Sequence, residues 1–286
     1  MISPAEDRFR AANLSYWTVR DAQAARQIAS GSVDAGTRGS VTGGGHLDAL
    51  ALLLEEIFVE NGFSRNIIKR ASGVELPGFY RPTKKWDLVV IDGDVLIAAI
   101  ELKSQVGPSF GNNFNNRTEE AIGNAIDLRR AHQAGSVGEI SPWLGYVFLL
   151  EESSRSTAPV RVAGTPFGID EIFSDTSYKE RYQILCRRLV SDGLYDAACF
   201  VTSSREPGSP IHEPDPDLSF QALQASIAKR AAHIRELKRQ RGWSCLPVPD
   251  AARRPHPPKQ PEFTVGGYSG WSGAAAVLAW RSGQHS

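Results

Sequence analysis

Trp86-Asp-Leu-Val-Val-Ile-Asp-Gly-Asp-Val-Leu-Ile-Ala-Ala-Ile-Glu-Leu-Lys103 is the stretch whose reading decides the fold. Two apolar, β-branched runs flank a Gly-containing turn, the pattern of a buried β-hairpin. Asp87 opens the first run, and Glu101 and Lys103 close the second. Buried strands seldom carry charges without partners, and these three groups can serve one another. A carboxylate pair beside an ammonium group is also suited to metal-dependent cleavage of a phosphodiester.

Side chains alternate faces along a strand, so Glu101 and Lys103 share a face with Ala99. Whether Asp87 joins them depends on the turn. A two-residue loop, Asp92-Gly93, would set Asp87 opposite Ala98, on the wrong face. A three-residue loop, Asp92-Gly93-Asp94, or an equivalent bulge, sets it on the face of Glu101. The chemical reading therefore requires the longer loop or the bulge. Read alone, Glu-x-Lys on a strand describes an exposed ion pair as readily as a metal site.

The surrounding chain suits an α/β protein. Helices are expected over residues 5–30, 46–60, from Thr118 to about Ala134, over Tyr178 to Ser191, and from about Leu218 to Arg241. Buried strands are expected at Trp143 to Leu150 and Ala197 to Thr202, with Ser104 to Asn116 as a loop. Beyond Gly242 six prolines fall between Pro247 and Pro261. The expected organisation is one domain over 1–242 and a Pro/Gly-rich tail over 243–286.

The 286 residues carry 32 Lys and Arg against 32 Asp and Glu, so composition favours no acidic partner. Binding to DNA would need local segregation of charge. The run Lys229, Arg230, Arg235, Lys238, Arg239 and Arg241 supplies one, either as a solvated helix face or as a phosphate contact. Three widely spaced cysteines, Cys186, Cys199 and Cys245, argue against a disulfide framework and a structural zinc site. No signal peptide opens the chain, and no apolar run approaches the roughly eighteen residues that span a bilayer, so a cytoplasmic protein without membrane contact is expected. No phosphate-cradling P-loop is present.

Two further groups of candidates stand near the hairpin. On the 46–60 helix, Asp48 and Glu55 lie on one flank of the apolar stripe, from which either could reach a metal; Glu55 is the chosen candidate ligand, beside Asp87 and Glu101. A solvated helix face accounts for both acids equally well. After Lys103, Asn112, Asn113, Asn115, Asn116 and Arg117 offer donors and acceptors suited to base edges. The same segment can equally be an Asn-rich turn that supports the site and touches only phosphate. Thr202, Ser203, Ser204 and Arg205 are weaker candidates for base contact.

The segment Glu101 to Ala125, Glu-Leu-Lys-Ser-Gln-Val-Gly-Pro-Ser-Phe-Gly-Asn-Asn-Phe-Asn-Asn-Arg-Thr-Glu-Glu-Ala-Ile-Gly-Asn-Ala, resembles the XhoI-type family of type II restriction endonucleases, within the PD-(D/E)XK superfamily. The resemblance runs from roughly Gly44 to Arg239. It implies a restriction-endonuclease-like core, a mixed central sheet flanked by helices. It also implies a homodimer that cuts double-stranded DNA with Mg²⁺ at a six-base palindrome, 5'-CTCGAG in known relatives, leaving 5'-phosphate ends. A cognate DNA methyltransferase, in no stable complex with the enzyme, is the implied functional partner. Asp87, Glu101 and Lys103 fall on the superfamily's metal-binding acids and catalytic lysine, while Trp86 stands where proline is common. Two other readings remain: a structure-specific repair or junction nuclease on this fold, and a non-catalytic DNA-binding protein.

Overall fold

The computed structural model describes residues 4–29, 44–162, 164–206 and 209–241. The tail over 243–286 and the expected boundary before it lie outside these residues. The strands are β1 (Ile68–Arg70), β2 (Glu75–Pro77), β3 (Thr83–Lys85), β4 (Leu88–Asp92), β5 (Val95–Gln105), β6 (Trp143–Glu151) and β7 (Ala197–Ser203). The helices are α1 (Pro4–Ala29), α2 (Asp48–Glu60), α3 (Phe110–Gln133), the single turn α4 (Ser154–Thr157), α5 (Tyr178–Ser191) and α6 (Phe220–Arg241).

A five-stranded sheet is ordered β1-β4-β5-β6-β7, and β2 and β3 form a separate hairpin. The β1, β4 and β5 pairings are antiparallel, whereas β5, β6 and β7 run parallel. Central strands covered on both faces should be continuously apolar, and β6 and β7 are buried almost throughout. One face packs against α2 and α6 through Leu54, Ile57, Phe58, Leu223, Ile227 and Ile234. The other packs against α3 and α5 through Ala121, Ala125, Leu128, Tyr182, Leu185 and Leu189. This is a mixed α/β fold, as the alternation of apolar runs requires.

The hairpin turn is a correction. Asp92 pairs with Val95, so the loop is the two residues Gly93-Asp94, with Gly93 at φ 63°. The register then shifts between Val90 and Ile91: Ile91 faces Leu96, but Val90 faces Ala98. Ile97 is the extra residue of a bulge, and Ile97 and Ala98 consequently both enter the α2/α6 core while Leu96 and Ala99 enter the other. Extending the register from Leu88↔Ile100 by one residue sets Asp87 opposite Glu101. The bulge, not the longer loop, brings the two acids together.

A second correction concerns the segment after Lys103. Helix α3 begins at Phe110, eight residues before Thr118, despite four asparagines of low helix propensity. Tertiary contacts override propensity here. Phe110, one turn before Phe114, stacks on Tyr178 with centroids 5.8 Å apart, and Phe114 meets the edge of Tyr182 at 5.1 Å. Gly111 lets the helix pass the Tyr178 hydroxyl, which a Cβ would meet at 2.7 Å. Thr118 is an interior residue whose hydroxyl donates to the Phe114 carbonyl at 2.9 Å. By contrast α5 starts as its sequence predicts, with Ser177 and Glu180 forming a reciprocal capping box.

The basic run on α6 is largely engaged within the protein. Arg230 donates to the carbonyls of Ile97 and Ser141 at 3.1 and 2.8 Å, and Arg235 donates to that of Asn61 at 2.7 Å. Lys238 pairs with Asp92 at the hairpin turn. That turn lies at the opposite end of β4 and β5 from Asp87 and Lys103, so Arg230 and Lys238 brace the bulge and the turn, while Arg235 ties α6 to the end of α2.

Candidate active site

Glu101 is the most deeply placed acid at the open end of the sheet, 1% exposed. Its Oε2 accepts from Lys84 Nζ at 2.5 Å, and its Oε1 pairs with Lys103 Nζ. Asn124 Nδ2 on α3 lies 3.4 Å from the same Oε1. Burial alone would push the Glu101 carboxyl up, but Lys103 and Lys84 outweigh it and hold the group below its ordinary range. Lys103 is the counterpart: burial pushes its ammonium down, the Glu101 carboxylate outweighs that, and its pKa is raised.

Asp87 stands across the hairpin from Glu101, its Oδ2 accepting the Leu102 backbone N–H at 2.7 Å. Burial and the neighbouring Glu101 charge push its carboxyl up. A carboxyl group whose ionisation is made costly by burial and by a neighbouring carboxylate suits a bound cation with oxygen ligands, which would relieve it. The donor set therefore fits a divalent ion completed by solvent or substrate oxygens. No third acid closes a cage: among the described residues, no group of three or more His, Cys, Asp or Glu side chains is arranged to hold a metal.

Glu55 is not brought to this pair. Its Oε1 accepts from Arg65 at 2.5 Å and its Oε2 pairs with Arg70, so both oxygens are committed to guanidinium groups. The other acid on its flank behaves differently: Asp48 lines a cavity of about 250 Å³ together with Arg70, Lys85, Trp86, Asp87 and Leu102. Helical spacing could not separate the two, because Arg65 and Arg70 lie beyond the helix.

Asn112, Asn113, Asn115, Asn116 and Arg117 occupy the first turns of α3 rather than a loop. Asn112, Asn115 and Asn116 are exposed on one side, while Asn113 and Arg117 are half-buried. Arg117 Nη1 donates to Glu120 at 2.6 Å, and Glu120 in turn lies 4.0 Å from Lys103 Nζ. The buried Arg117 Nε has no hydrogen-bond partner.

Sequence reasoning missed Lys84 and the clamp that holds its hairpin. Asp127 on α3 accepts from the Phe79 and Tyr80 backbone N–H groups, each at 2.8 Å, and from Arg81 Nε at 2.7 Å. Arg81 also donates to Asn124 Oδ1 at 2.7 Å, linking the hairpin to the residue beside Glu101. Lys84 Nζ rests 4.4 Å from the centre of the Trp86 ring, which gives that tryptophan a local role. Lys84 immediately precedes Lys85-Trp86-Asp87, the one signal that could have drawn notice to it.

Thr202 and Ser203 face inward. Ser203 Oγ donates to Asn13 and accepts from Trp17 Nε1, and Thr202 bonds Glu152. Glu152 also takes His212 Nδ1 at 3.0 Å and Lys179 Nζ at 3.1 Å. Burial pushes its carboxyl up, but the bonds from Thr202, His212 and Lys179 outweigh this and bring it down to about 2. A folded pKa below the unfolded one gives stability that is complete above about pH 4.5 and lost as pH falls towards 2. Glu152→Gln is expected to cost roughly 2 kcal/mol at neutral pH, allowing for partial solvent screening. Its difference from the parent should shrink below pH 4 in urea titrations; a pH-independent difference would refute the assignment.

Comparison with known proteins adds independent evidence. A family model described as "Restriction endonuclease XhoI" matches residues 26–211. The type II restriction enzyme BstVI of Geobacillus stearothermophilus is 39% identical over 207 residues, covering 70% of this chain and 92% of that enzyme. The type II restriction enzyme XhoI of Xanthomonas vasicola is 45% identical over 162 residues, 56% of this chain and 65% of that enzyme. AbrI of Azospirillum brasilense, also a type II restriction enzyme, is 42% identical over 153 residues, 53% of this chain and 68% of that enzyme. No solved structure matches the chain with significance.

Proposed function

The chain belongs to the XhoI family of restriction endonucleases, and from that premise we propose that it cuts duplex DNA at the palindrome 5'-CTCGAG with Mg²⁺, leaving 5'-phosphate and 3'-hydroxyl ends. A type II restriction enzyme is a site-specific deoxyribonuclease acting on double-stranded DNA, so the proposal concerns the site, the metal and the chemistry. The observation that carries it is Glu101, buried between two ammonium groups and opposite Asp87.

In this reading Asp87 and Glu101 hold the metal. A bound Mg²⁺ supplies Lewis-acid polarisation of the scissile phosphate and a more acidic water. Lys103 would hold the attacking water from Nζ and offset charge growing on phosphate oxygen. Arg117, whose Nη1 pairs with Glu120 beside Lys103, would stand near the DNA, and Asn112, Asn113, Asn115 and Asn116 would lie along the groove or the adjoining strand. Both strands of a palindrome demand two equivalent sites, hence a homodimer. The host's own copies of the sequence then require protection by a methyltransferase.

Incubating the purified protein with plasmid DNA and Mg²⁺, then sequencing the cut ends, tests the proposal. Discrete fragments ending in 5'-phosphate within CTCGAG, and none with EDTA, are expected. Cleavage at another sequence would overturn the site, and cleavage confined to branched DNA would overturn the sequence-specific reading.

A further inference from the structure

The charges around Glu101 sum to zero: Asp87 and Glu101 against Lys84 and Lys103. The Lys84 side chain is 11% exposed and that of Glu101 2%, whereas that of Lys103 is 23% exposed and Asp87 borders the cavity beside Asp48. Both oxygens of Glu101 are already occupied by ammonium groups. A divalent ion bound by Glu101 as well as Asp87 would meet an ammonium group at either oxygen of Glu101. One lysine must yield its place.

We propose that Lys84 is a positioning residue that holds Glu101 Oε2 in the metal-free enzyme and surrenders that oxygen to the divalent cation. This rests on the reading of Asp87 and Glu101 as metal ligands. Lys84 is the lysine placed to yield. It stands on β3, three residues before Asp87, and so reaches Glu101 from the same stretch of chain as the second acid. Its Nζ already makes two other contacts that can hold it when Glu101 Oε2 is given up, to the Lys85 carbonyl at 2.9 Å and to the face of Trp86 at 4.4 Å. Lys103 approaches Glu101 along β5 and beside α3, where Glu120 and Arg117 surround it. The clamp of Asp127 on the hairpin keeps Lys84 within range throughout. Lys84 would thus keep a buried carboxylate aimed, at the expense of metal affinity when no DNA is bound.

Mn²⁺ binding to the full chain without DNA, followed by electron paramagnetic resonance of the free ion, tests this. Lys84→Met should bind Mn²⁺ about tenfold more tightly or better, because the ion no longer competes with an ammonium group for Glu101 Oε2. Lys84→Arg, which restores the cation, should return to the weaker parental binding. Parental or weaker affinity in Lys84→Met overturns the proposal, as does equal tightening in both variants. Glu101→Gln separates the layers: retained Mn²⁺ affinity in that variant defeats the metal-ligand reading itself. Loss of Mn²⁺ in Glu101→Gln with no gain in Lys84→Met defeats only the role of Lys84. The unsubstituted protein gives a second measurement: acetylation of Lys84, read by peptide mass spectrometry, should accelerate when Mg²⁺ is added, and an unaltered rate overturns the proposal.

Discussion

Glu101→Gln is expected to lower DNA cleavage by roughly a thousandfold or more, because it removes a charge on which both the metal and Lys103 depend. Glutamine is the informative substitution. It keeps the volume of a side chain that is 1% exposed and can still accept from Lys84 or Lys103 through its carbonyl oxygen. Glu101→Ala would instead leave two half-buried ammonium groups without their carboxylate, at about 3 kcal/mol, and confuse lost chemistry with lost folding. Plasmid cleavage should vanish in Glu101→Gln while gel-shift binding to the same DNA in Ca²⁺ persists. A variant that still cuts at near-parental rate would remove Glu101 from the reaction.

Asp127→Ala should be strongly destabilising, at about 3 kcal/mol in urea unfolding. Its carboxylate is 5% exposed and satisfies two backbone N–H groups and the Arg81 guanidinium at once. Those bonds hold its carboxyl below the usual range, against the burial that pushes it up. The substitution frees the hairpin tip Gly78–Pro82 from α3 and with it the support under Lys84. Cleavage should fall less than in Glu101→Gln, because no group touching the substrate is removed. A loss under about 1 kcal/mol would mean that solvent replaces these bonds without penalty.

How much of this was legible in the sequence depends on the range of the interactions. The strands Trp143–Glu151 and Ala197–Ser203 and the helix Tyr178–Ser191 are announced by continuous apolar runs and 3.6-residue spacing. Strands β1, β2 and β3 are three residues each, charged or proline-bearing, and carry no such period. The start of α3 was hidden for another reason: Phe110 and Phe114 gain Tyr178 and Tyr182 only after β6 and β7 have brought α5 alongside.

The sequence by itself determined the chemistry available: two acids and a lysine at the ends of apolar strands, with a family-like continuation to Ala125. Alternation along a strand also required that Asp87 and Glu101 share a face if they were to act together. The tertiary structure alone decided how that happens, through a bulge at Ile97 whose register depends on packing against both helical layers. It also decided which neighbours surround Glu101. Lys84 reaches it from a hairpin clamped by α3, while Glu55 turns away to Arg65 and Arg70. Local patterns fix which face a side chain occupies, but partners remote in sequence are set only when the layers close and charged groups must find counter-charges out of water.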